Sequence, residues 1–244
     1  MILVLFSDFG SNDLYVGQVK LVLAQRAPQV PVIDLLHDAP ACNVRAGAHL
    51  LAALCARLPL PAVVIAVIDP GVGGARGAVA MRADGRWYVG PDNGLLSVVA
   101  ARAREAKFWR IDAAGAPLSA SFHGRDLFAP AAAGIATGAH PADDAALAQL
   151  DVQLGGDDCA EIIYVDHYGN ALTGLRAGAV ARDGRVGVNG QWVGHARVFA
   201  EVEPDAPFWY ENSIGLVEIA VNRGNAAGAL GLAVGTAVEV AAAY

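Results

Sequence analysis

An acid and a base, Asp69 and Arg76, lie seven positions apart in a Gly-rich stretch of the chain. The stretch follows an apolar run over 62–66, which predicts a buried strand. A β-branched run that ends in an acid and a Gly-rich turn is typical of the ligand edge of an α/β sheet. Two interpretations fit these residues alone. They form either a surface ion pair that pins a loop, or a charged site whose backbone amides stay open to a ligand.

Further polar side chains lie next to two other predicted elements, the first strand and the helix over 121–138. Asp8 and Asp13 bracket the turn after the first apolar run, where two carboxylates could bind ribose hydroxyls or an ammonium group. Asp13 has a second interpretation, as the N-cap of the next helix. His123 precedes Gly124 at the entrance of another predicted helix, where an imidazole could contact a substrate or be structural only.

The second half of the chain offers a different group of residue types. Asp166, Tyr168 and Asn170 follow a predicted strand, and together they could hold an amine, stack on a purine and hydrogen-bond a base edge. Ser213 and the Asn- and Gly-rich segment 222–227 are also interpretable as ordinary turns. The sequence has no zinc-ligand spacing, Walker A loop, G-x-S-x-G elbow or cysteine nucleophile motif, so we predict no metal site.

Strands and helices alternate through the first part of the chain, and they are the elements that must position these side chains. This alternation predicts an α/β domain over 1–140, with a mostly parallel sheet and helices on both faces. An acidic segment over 141–158 predicts a linker, and short Gly-rich strands over 159–244 predict a smaller all-β, barrel-like domain. The predicted elements of the first domain are strands over 2–6, 31–36, 62–68 and 108–111, a hairpin over 77–89, and helices over 14–26, 44–58, 95–104 and 121–138.

Composition excludes several classes of partner. The chain has 55% hydrophobic and 17% charged residues and a formal net charge of -7, without a Lys/Arg run, so nucleic acid is not expected as a partner. No apolar run approaches the roughly 18 residues of a membrane helix. The apolar start meets Asp8 at once and lacks a basic flank, and the three cysteines are scattered. These features predict a cytoplasmic protein with reduced thiols and no membrane partner.

Taken together, the motifs resemble the S-adenosylmethionine hydroxide adenosyltransferases, which are related to fluorinases and chlorinases. The resemblance covers nearly the whole chain in ordered segments. Cys42 replaces a bulkier residue of the family pattern. The matching segments are Ser7-Asp8-Phe9-Gly10, Asp69-Pro70-Gly71-Val72-Gly73, Pro91-Asp92-Asn93-Gly94, Phe122-His123-Gly124-Arg125-Asp126, Asp166-His167-Tyr168-Gly169-Asn170, Asn212-Ser213 and Asn225-Ala226-Ala227.

The resemblance implies an N-terminal α/β domain, a C-terminal β-barrel and a homotrimer with the substrate between neighbouring subunits. It also implies cleavage of S-adenosylmethionine by water to adenosine and methionine, without a cofactor. The implied catalytic residues are Asp69, Arg76 and His123. The implied substrate contacts are Asp8 at the ribose, Asp13 and Asp166 toward methionine, Tyr168, Asn170, Phe199 and Ala226 around adenine, and Ser213 as a further polar contact.

Two other functions compete with hydrolysis. A halogenase is the close alternative, but fluorinases carry Tyr and Ser where this chain has Asp69 and Gly124, and a carboxylate would repel a halide. A non-catalytic sensor of adenosine or S-adenosylmethionine would leave the acid, the base and His123 unexplained. For hydrolysis, the sequence leaves open whether Asp69 or His123 accepts the proton and whether water or hydroxide attacks.

Overall fold

A computed structural model describes residues 1–112 and 118–241, which fold into two compact units. Unit 1 comprises Met1–Ala52 and Leu58–Gly156, and unit 2 comprises Ala53–Arg57 and the chain from Asp157 onward. Each unit contains its own cluster of buried apolar side chains. The α/β class with an additional all-β part, as predicted from the sequence, is confirmed.

Unit 1 is built on a seven-stranded mixed sheet with the order β2-β1-β3-β5-β4-β6-β7. Strands β2, β1, β3 and β5 pair in parallel, and the antiparallel pairs β5–β4, β4–β6 and β6–β7 complete the sheet. The predicted hairpin is the β4–β5 pair. The strands are β1 (Ile2–Ser7), β2 (Val32–Leu36), β3 (Ala62–Val67), β4 (Ala78–Ala83), β5 (Arg86–Pro91), β6 (Ala106–Arg110) and β7 (Ala146–Leu147). Strand β7 lies within the segment interpreted as a linker.

The central strands are buried on both faces because nearly every side chain in them is apolar. All residues of β3 and five of the six residues of β1 are buried, as expected for parallel strands covered on both sides. Leu3, Leu5 and Ile65 pack with Leu23 and Phe128 of the helical segments on one face. Burial of each such side chain contributes roughly 1.5–3 kcal/mol, so the core fixes the strand ends that carry the polar residues.

The helices are α1 (Leu14–Arg26), α2 (Val44–Cys55), α3 (Ser97–Arg102), α4 (Ala129–Ala136) and, in unit 2, α5 (Ala226–Leu230). Helix α3 is shorter than the predicted helix over 95–104. The helix predicted from 121 begins with a π-helical turn over Gly124–Phe128 before α4. No helix within 1–112 and 118–241 is long and apolar enough to cross a membrane.

Unit 2 contains two antiparallel sheets, with the orders β12-β13-β9-β8 and β11-β10-β14. Single bridges join their edges, Glu161 to Ala237 on one side and His195 to Trp209 on the other, so the strands follow one another around a ring. This arrangement agrees with the predicted barrel-like domain. The strands are β8 (Cys159–Val165), β9 (Ala171–Arg176), β10 (Arg185–Val188), β11 (Gln191–Val193), β12 (Pro207–Glu211), β13 (Leu216–Val221) and β14 (Glu239–Ala241).

Candidate active site

The carboxyl ends of β1 and β3 place two acids side by side. The two strands pair in register up to Ser7 and Val67, and the Asp8 N–H donates to the Val67 carbonyl over 3.2 Å. Asp8 and Asp69 therefore leave neighbouring parallel strands at the same sheet edge, where α/β proteins bind ligands. The sequence hypothesis that these two acids share a site agrees with this geometry.

Asp69 and Arg76 form a largely buried ion pair. Arg76 Nε lies 3.0 Å from Asp69 Oδ1 and 3.1 Å from Oδ2, and the Nη2 group also contacts Oδ2. The two side chains are only 5% and 12% exposed, for Asp69 and Arg76 respectively. A surface ion pair would be solvated and weak. This burial therefore removes the interpretation of the pair as a surface contact that pins a loop.

His123 contacts the same guanidinium. Arg76 Nη2 lies 2.9 Å from His123 Nδ1. Because arginine can only donate hydrogen bonds, Nδ1 must accept, and a neutral imidazole then carries its proton on Nε2. Burial lowers the pKa of His123 below its usual 6.5, and the charge of Arg76 lowers it further against the opposing effect of Asp69 and Asp126. His123 is therefore neutral at pH 7.

The π-helical turn after His123 is held by its own polar contacts. Asp126 accepts the Ser119 N–H over 2.8 Å and pairs with Arg125, whose Nε lies 2.6 Å from Asp126 Oδ1. Asp126 thereby ties the segment before His123 to the turn after it. Short π-helical turns occur frequently at functional sites, and this one begins at the residue following the imidazole.

Asp8 is oriented by a backbone donor from another loop. The Cys42 N–H donates to Asp8 Oδ2 over 2.9 Å, and Cys42 has a left-handed backbone with φ of 56°. Burial raises the pKa of Asp8 above 3.8, and the nearby charge of Asp69 adds to the increase. The carboxylate is thus fixed in place, and part of its hydrogen-bonding capacity is already used.

These side chains surround an open cleft of about 180 Å³. Asp13 is not one of the residues that line it. Instead, its carboxylate accepts the Leu14 N–H and caps α1, as the second interpretation of this residue predicted. The residues lining the cleft are Asp8, Phe9, Tyr15, Cys42, Val67, Asp69, Pro70, Val72, Ser121, Phe122, His123 and Gly124.

In unit 2, the loop after β8 is organised by Asp166. Its Oδ1 accepts the N–H groups of Tyr168 and Asn170 over 2.9 and 2.8 Å, and its Oδ2 accepts the Asn170 side-chain amide over 3.2 Å. The Gly169 carbonyl accepts the Ala227 N–H over 2.8 Å at the start of α5, which Ala226 begins. Tyr168 is 73% exposed. The loop therefore presents an aromatic ring beside a buried amide.

Two family models match the chain, one in its N-terminal part and one in its C-terminal part. The model for the SAM hydroxide adenosyltransferase N-terminal domain matches residues 3–145, and that for the C-terminal domain matches residues 160–239. The chain belongs to the SAM hydroxide adenosyltransferase family.

Named relatives are similar to the chain over nearly their whole lengths. A protein named (R)-S-adenosyl-L-methionine hydrolase from Thermus thermophilus is 45% identical, covering 96% of this chain and 97% of the relative. A protein of the same name from Salinispora arenicola is 40% identical, with coverages of 97% and 96%. The crystal structure of an uncharacterized conserved protein from Thermotoga maritima superposes with a TM-score of 0.88 at 30% identity, covering 99% of this chain and 100% of that one.

The sequence interpretation missed one buried acid, Glu218 on β13. Tyr210 donates its hydroxyl to Glu218 Oε1, and the Asn212 side-chain amide donates to Oε2 over 2.9 Å. Burial raises the pKa of Glu218 above 4.5, and Asp166 contributes to the increase. A lone acid inside the apolar run over 216–221 was the available signal, because such an acid must find partners inside the fold.

The remaining residues of unit 2 that were predicted to contact the substrate differ in their exposure. The Phe199 ring packs against Phe208 and Tyr210, with centroids 5.0 and 5.4 Å away, and is 36% exposed. Ser213 is exposed, and Ala226 is fully buried at the first position of α5. Phe199 and Ser213 are therefore accessible to a ligand, whereas Ala226 exposes neither its side chain nor its backbone.

Gly73, in the loop that follows Asp69, packs closely against Ala120, in the segment that leads into His123. It has φ of 77°, and a Cβ there would lie 2.1 Å from the Ala120 carbonyl oxygen. Gly73→Ala is expected to lower the free energy of unfolding by about 1–3 kcal/mol from the backbone conformation alone, and by more because of the collision. Urea unfolding measures this change.

The matched control for Gly73→Ala is Gly155→Ala. Gly155 has φ of 79°, and no heavy atom of the described residues, beyond its chain neighbours, lies within 4 Å of the point that a Cβ would occupy. The substitution of Gly155 therefore measures only the free-energy cost of placing alanine in a left-handed backbone conformation. Equal destabilisation by the two substitutions would contradict the close contact between Gly73 and Ala120.

Proposed function

We propose that this chain hydrolyses S-adenosyl-L-methionine to adenosine and L-methionine, by attack of water on the ribose 5′ carbon. The observation that supports the mechanism is the largely buried pair of Asp69 and Arg76, in contact with a half-buried His123 beside a cleft. Curated relatives that are 40–45% identical over nearly the full chain carry the name of this hydrolase. The established family and this polar array thus agree on the reaction.

The chemistry requires little beyond positioning and a proton acceptor. Methionine leaves as a neutral thioether, so its sulfur needs no acid. Water forms the new C–O bond as the C–S bond breaks, and one proton must then leave the attacking oxygen. Because Arg76 occupies His123 Nδ1, we assign this proton to Asp69 and assign His123 Nε2–H as a donor that holds the oxygen. Alignment of the reacting atoms supplies several kcal/mol of the barrier reduction.

The contacts to the substrate remain proposals. Asp8, held by the Cys42 N–H, would accept the ribose hydroxyls, a common role for a carboxylate at such a sheet edge. The cleft is lined by residues of unit 1 only, and the groups implied for the two ends of S-adenosylmethionine are not part of that lining. The proposed groups toward methionine are Asp13 and Asp166, and those at adenine are Tyr168, Asn170, Phe199, Ser213 and Ala226.

Four other properties stay predictions. The reaction uses only water, so no cofactor is required for its balance. A homotrimer with sites at subunit interfaces and a cytoplasmic location follow from the resemblance and the composition. The names of the relatives specify the (R) form of the substrate, and we propose that this chain also prefers the (R)-sulfonium epimer.

Two features of the cleft favour water over a halide. Asp69 lines it and carries a negative charge toward any anionic nucleophile. A side chain at position 124 would begin 2.8 Å from the Phe9 ring, so the additional donor that a serine there would provide has no space unless Phe9 moves. Halogenation is therefore not supported.

The test is incubation of the purified protein with each sulfonium epimer in ¹⁸O-labelled water. We expect equal amounts of adenosine and methionine, faster from the (R) epimer, with the label in the adenosine 5′-hydroxyl. Unchanged substrate would favour the sensor function. Label elsewhere would contradict attack at the 5′ carbon, and a 5′-halogenated nucleoside formed in added chloride or fluoride would restore the halogenase alternative.

A further inference from the structure

Three aromatic rings meet at the cleft of unit 1. The centroids of Phe9, Tyr15 and Phe122 lie 5.3 to 5.8 Å apart in each pairing. The Phe122 ring is nearly perpendicular to the other two, at 80° and 78°. All three residues line the cleft together with Asp8 and Asp69. We call this group the aromatic corner.

The aromatic corner is suited to a cation. The face of an aromatic ring attracts positive charge within about 6 Å of its centroid. Phe122 already has such a contact, because the Arg125 guanidinium carbon lies 5.2 Å from its centroid. Phe9 is part-buried and Tyr15 is 38% exposed, so both rings remain open to a ligand.

The charges around the cleft have the complementary sign. Asp8 and Asp69 line it, and Arg76 behind them offsets only one of the two carboxylates. His123 accepts a hydrogen bond from Arg76 at Nδ1 and adds no positive charge. A ligand with a single positive charge is therefore favoured at this place, and a sulfonium carries one.

We propose that Phe9, Tyr15 and Phe122 form the subsite for the sulfonium group and its methyl substituent. This inference rests on the proposed function, because it assigns one part of the proposed substrate to one part of the cleft. The rings cover the positive sulfur, while the carboxylates lie on the side of the ribose. Asp69 and His123 then face the 5′ carbon that is bonded to that sulfur.

The contact acts on the ground state. As the C–S bond breaks, the positive charge leaves sulfur and methionine becomes neutral, so the attraction to the rings weakens toward the transition state. An interaction that weakens toward the transition state lowers KM and also lowers kcat, so its removal raises both constants. It also ceases when the reaction is complete, which allows the neutral thioether to leave.

The test compares Tyr15→Leu with wild type and with Tyr15→Phe, which keeps the ring. We expect Tyr15→Leu to raise KM for S-adenosylmethionine about 10-fold, with kcat no lower than in wild type. The inhibition constant of S-adenosylhomocysteine, a neutral thioether, should stay nearly constant. Tyr15→Phe should behave as wild type. Phe9→Leu tests the second ring by the same measurements.

The control is Trp192→Leu, which removes an aromatic ring that is 39% exposed on β11 of unit 2 and is not part of the cleft lining. It should leave both constants unchanged. Equal weakening of the charged substrate and the neutral thioether by Tyr15→Leu, or no weakening of either, overturns the sulfonium subsite while the hydrolase function stands. Absence of adenosine from the wild-type protein overturns the proposed function instead, and the subsite with it.

Discussion

Asp69→Asn is expected to lower kcat by about 10²–10⁴-fold, the usual contribution of a general base. The asparagine keeps the shape of the side chain but removes the carboxylate to which we assign the proton of the attacking water. Its amide also turns one hydrogen-bond acceptor into a donor that faces Arg76, which can only donate. Adenosine release at saturating S-adenosylmethionine, followed by chromatography, measures the loss.

The substitution also disturbs the fold, so unfolding must be measured beside activity. Arg76 is 12% exposed, and removal of one partner of a buried ion pair costs about 3–5 kcal/mol. Glu211→Gln is the matched control, since it breaks a carboxylate–arginine pair in unit 2 in which Glu211 is 44% and Arg182 47% exposed. We expect this control to cost less than about 1 kcal/mol and to leave turnover intact. A folded Asp69→Asn protein with wild-type kcat would remove Asp69 from the mechanism.

The sequence predicted the position of the acids because parallel strands are easy to recognise. The predicted strand over 62–68 is followed directly by Asp69, and the strand over 2–6 is followed by Ser7 and Asp8, so a shared sheet edge follows from the α/β pattern. Burial of the ion pair could not be predicted in the same way. It depends on Gly73 against Ala120 and on Phe128, whose centroid lies 5.4 Å from the Arg76 guanidinium carbon, and these contacts are remote in sequence.

Other features left a weak signal or none in the chain. The Cys42 N–H that orients Asp8 is a backbone group, and any residue except proline would supply it. The residues of the π-helical turn after His123 do not distinguish it from an α-helix, and the Ala-rich sequence that follows predicted one ordinary helix over both segments. Glu218 was visible as an acid in an apolar strand, but its partners Tyr210 and Asn212 are defined only by the pairing of β12 with β13 and the turn that joins them.

Turnover is expected to fall about tenfold for each pH unit below the pKa of His123, as for loss of one essential neutral group. Burial and Arg76 lower this pKa below 6.5, so the midpoint of the acid limb should lie below pH 6.5. On protonation, Nδ1 becomes a donor that faces the Arg76 donor, and the two cations repel.

The lowered pKa of His123 also makes the stability of the fold depend on pH. Because this pKa is lower in the folded chain than in the unfolded chain, the unfolded chain binds the proton at a higher pH. The stability linked to His123 is therefore complete above 6.5 and is lost as the pH falls through the folded-state pKa.

His123→Asn separates this titration from the others in the protein. The asparagine side-chain oxygen can still accept the Arg76 hydrogen, but it neither titrates near neutral pH nor supplies the Nε2–H donor. We expect kcat to fall by about 10²-fold, with the His123 limb of the pH profile absent. Only a lower limb from carboxylates such as Asp8, whose pKa burial raises above 3.8, should remain.

The matched control is His195→Asn in unit 2. Burial and Arg182 lower the pKa of His195 in the same direction as that of His123, but His195 packs against Trp209, 4.6 Å away between centroids, and is not part of the cleft lining. Its replacement should leave the acid limb of the wild-type profile in place. If His195→Asn removed the limb, or if His123→Asn kept it, the imidazole beside Arg76 would not be the group that controls turnover. The proton and donor assignments at the cleft would then have to be exchanged or abandoned.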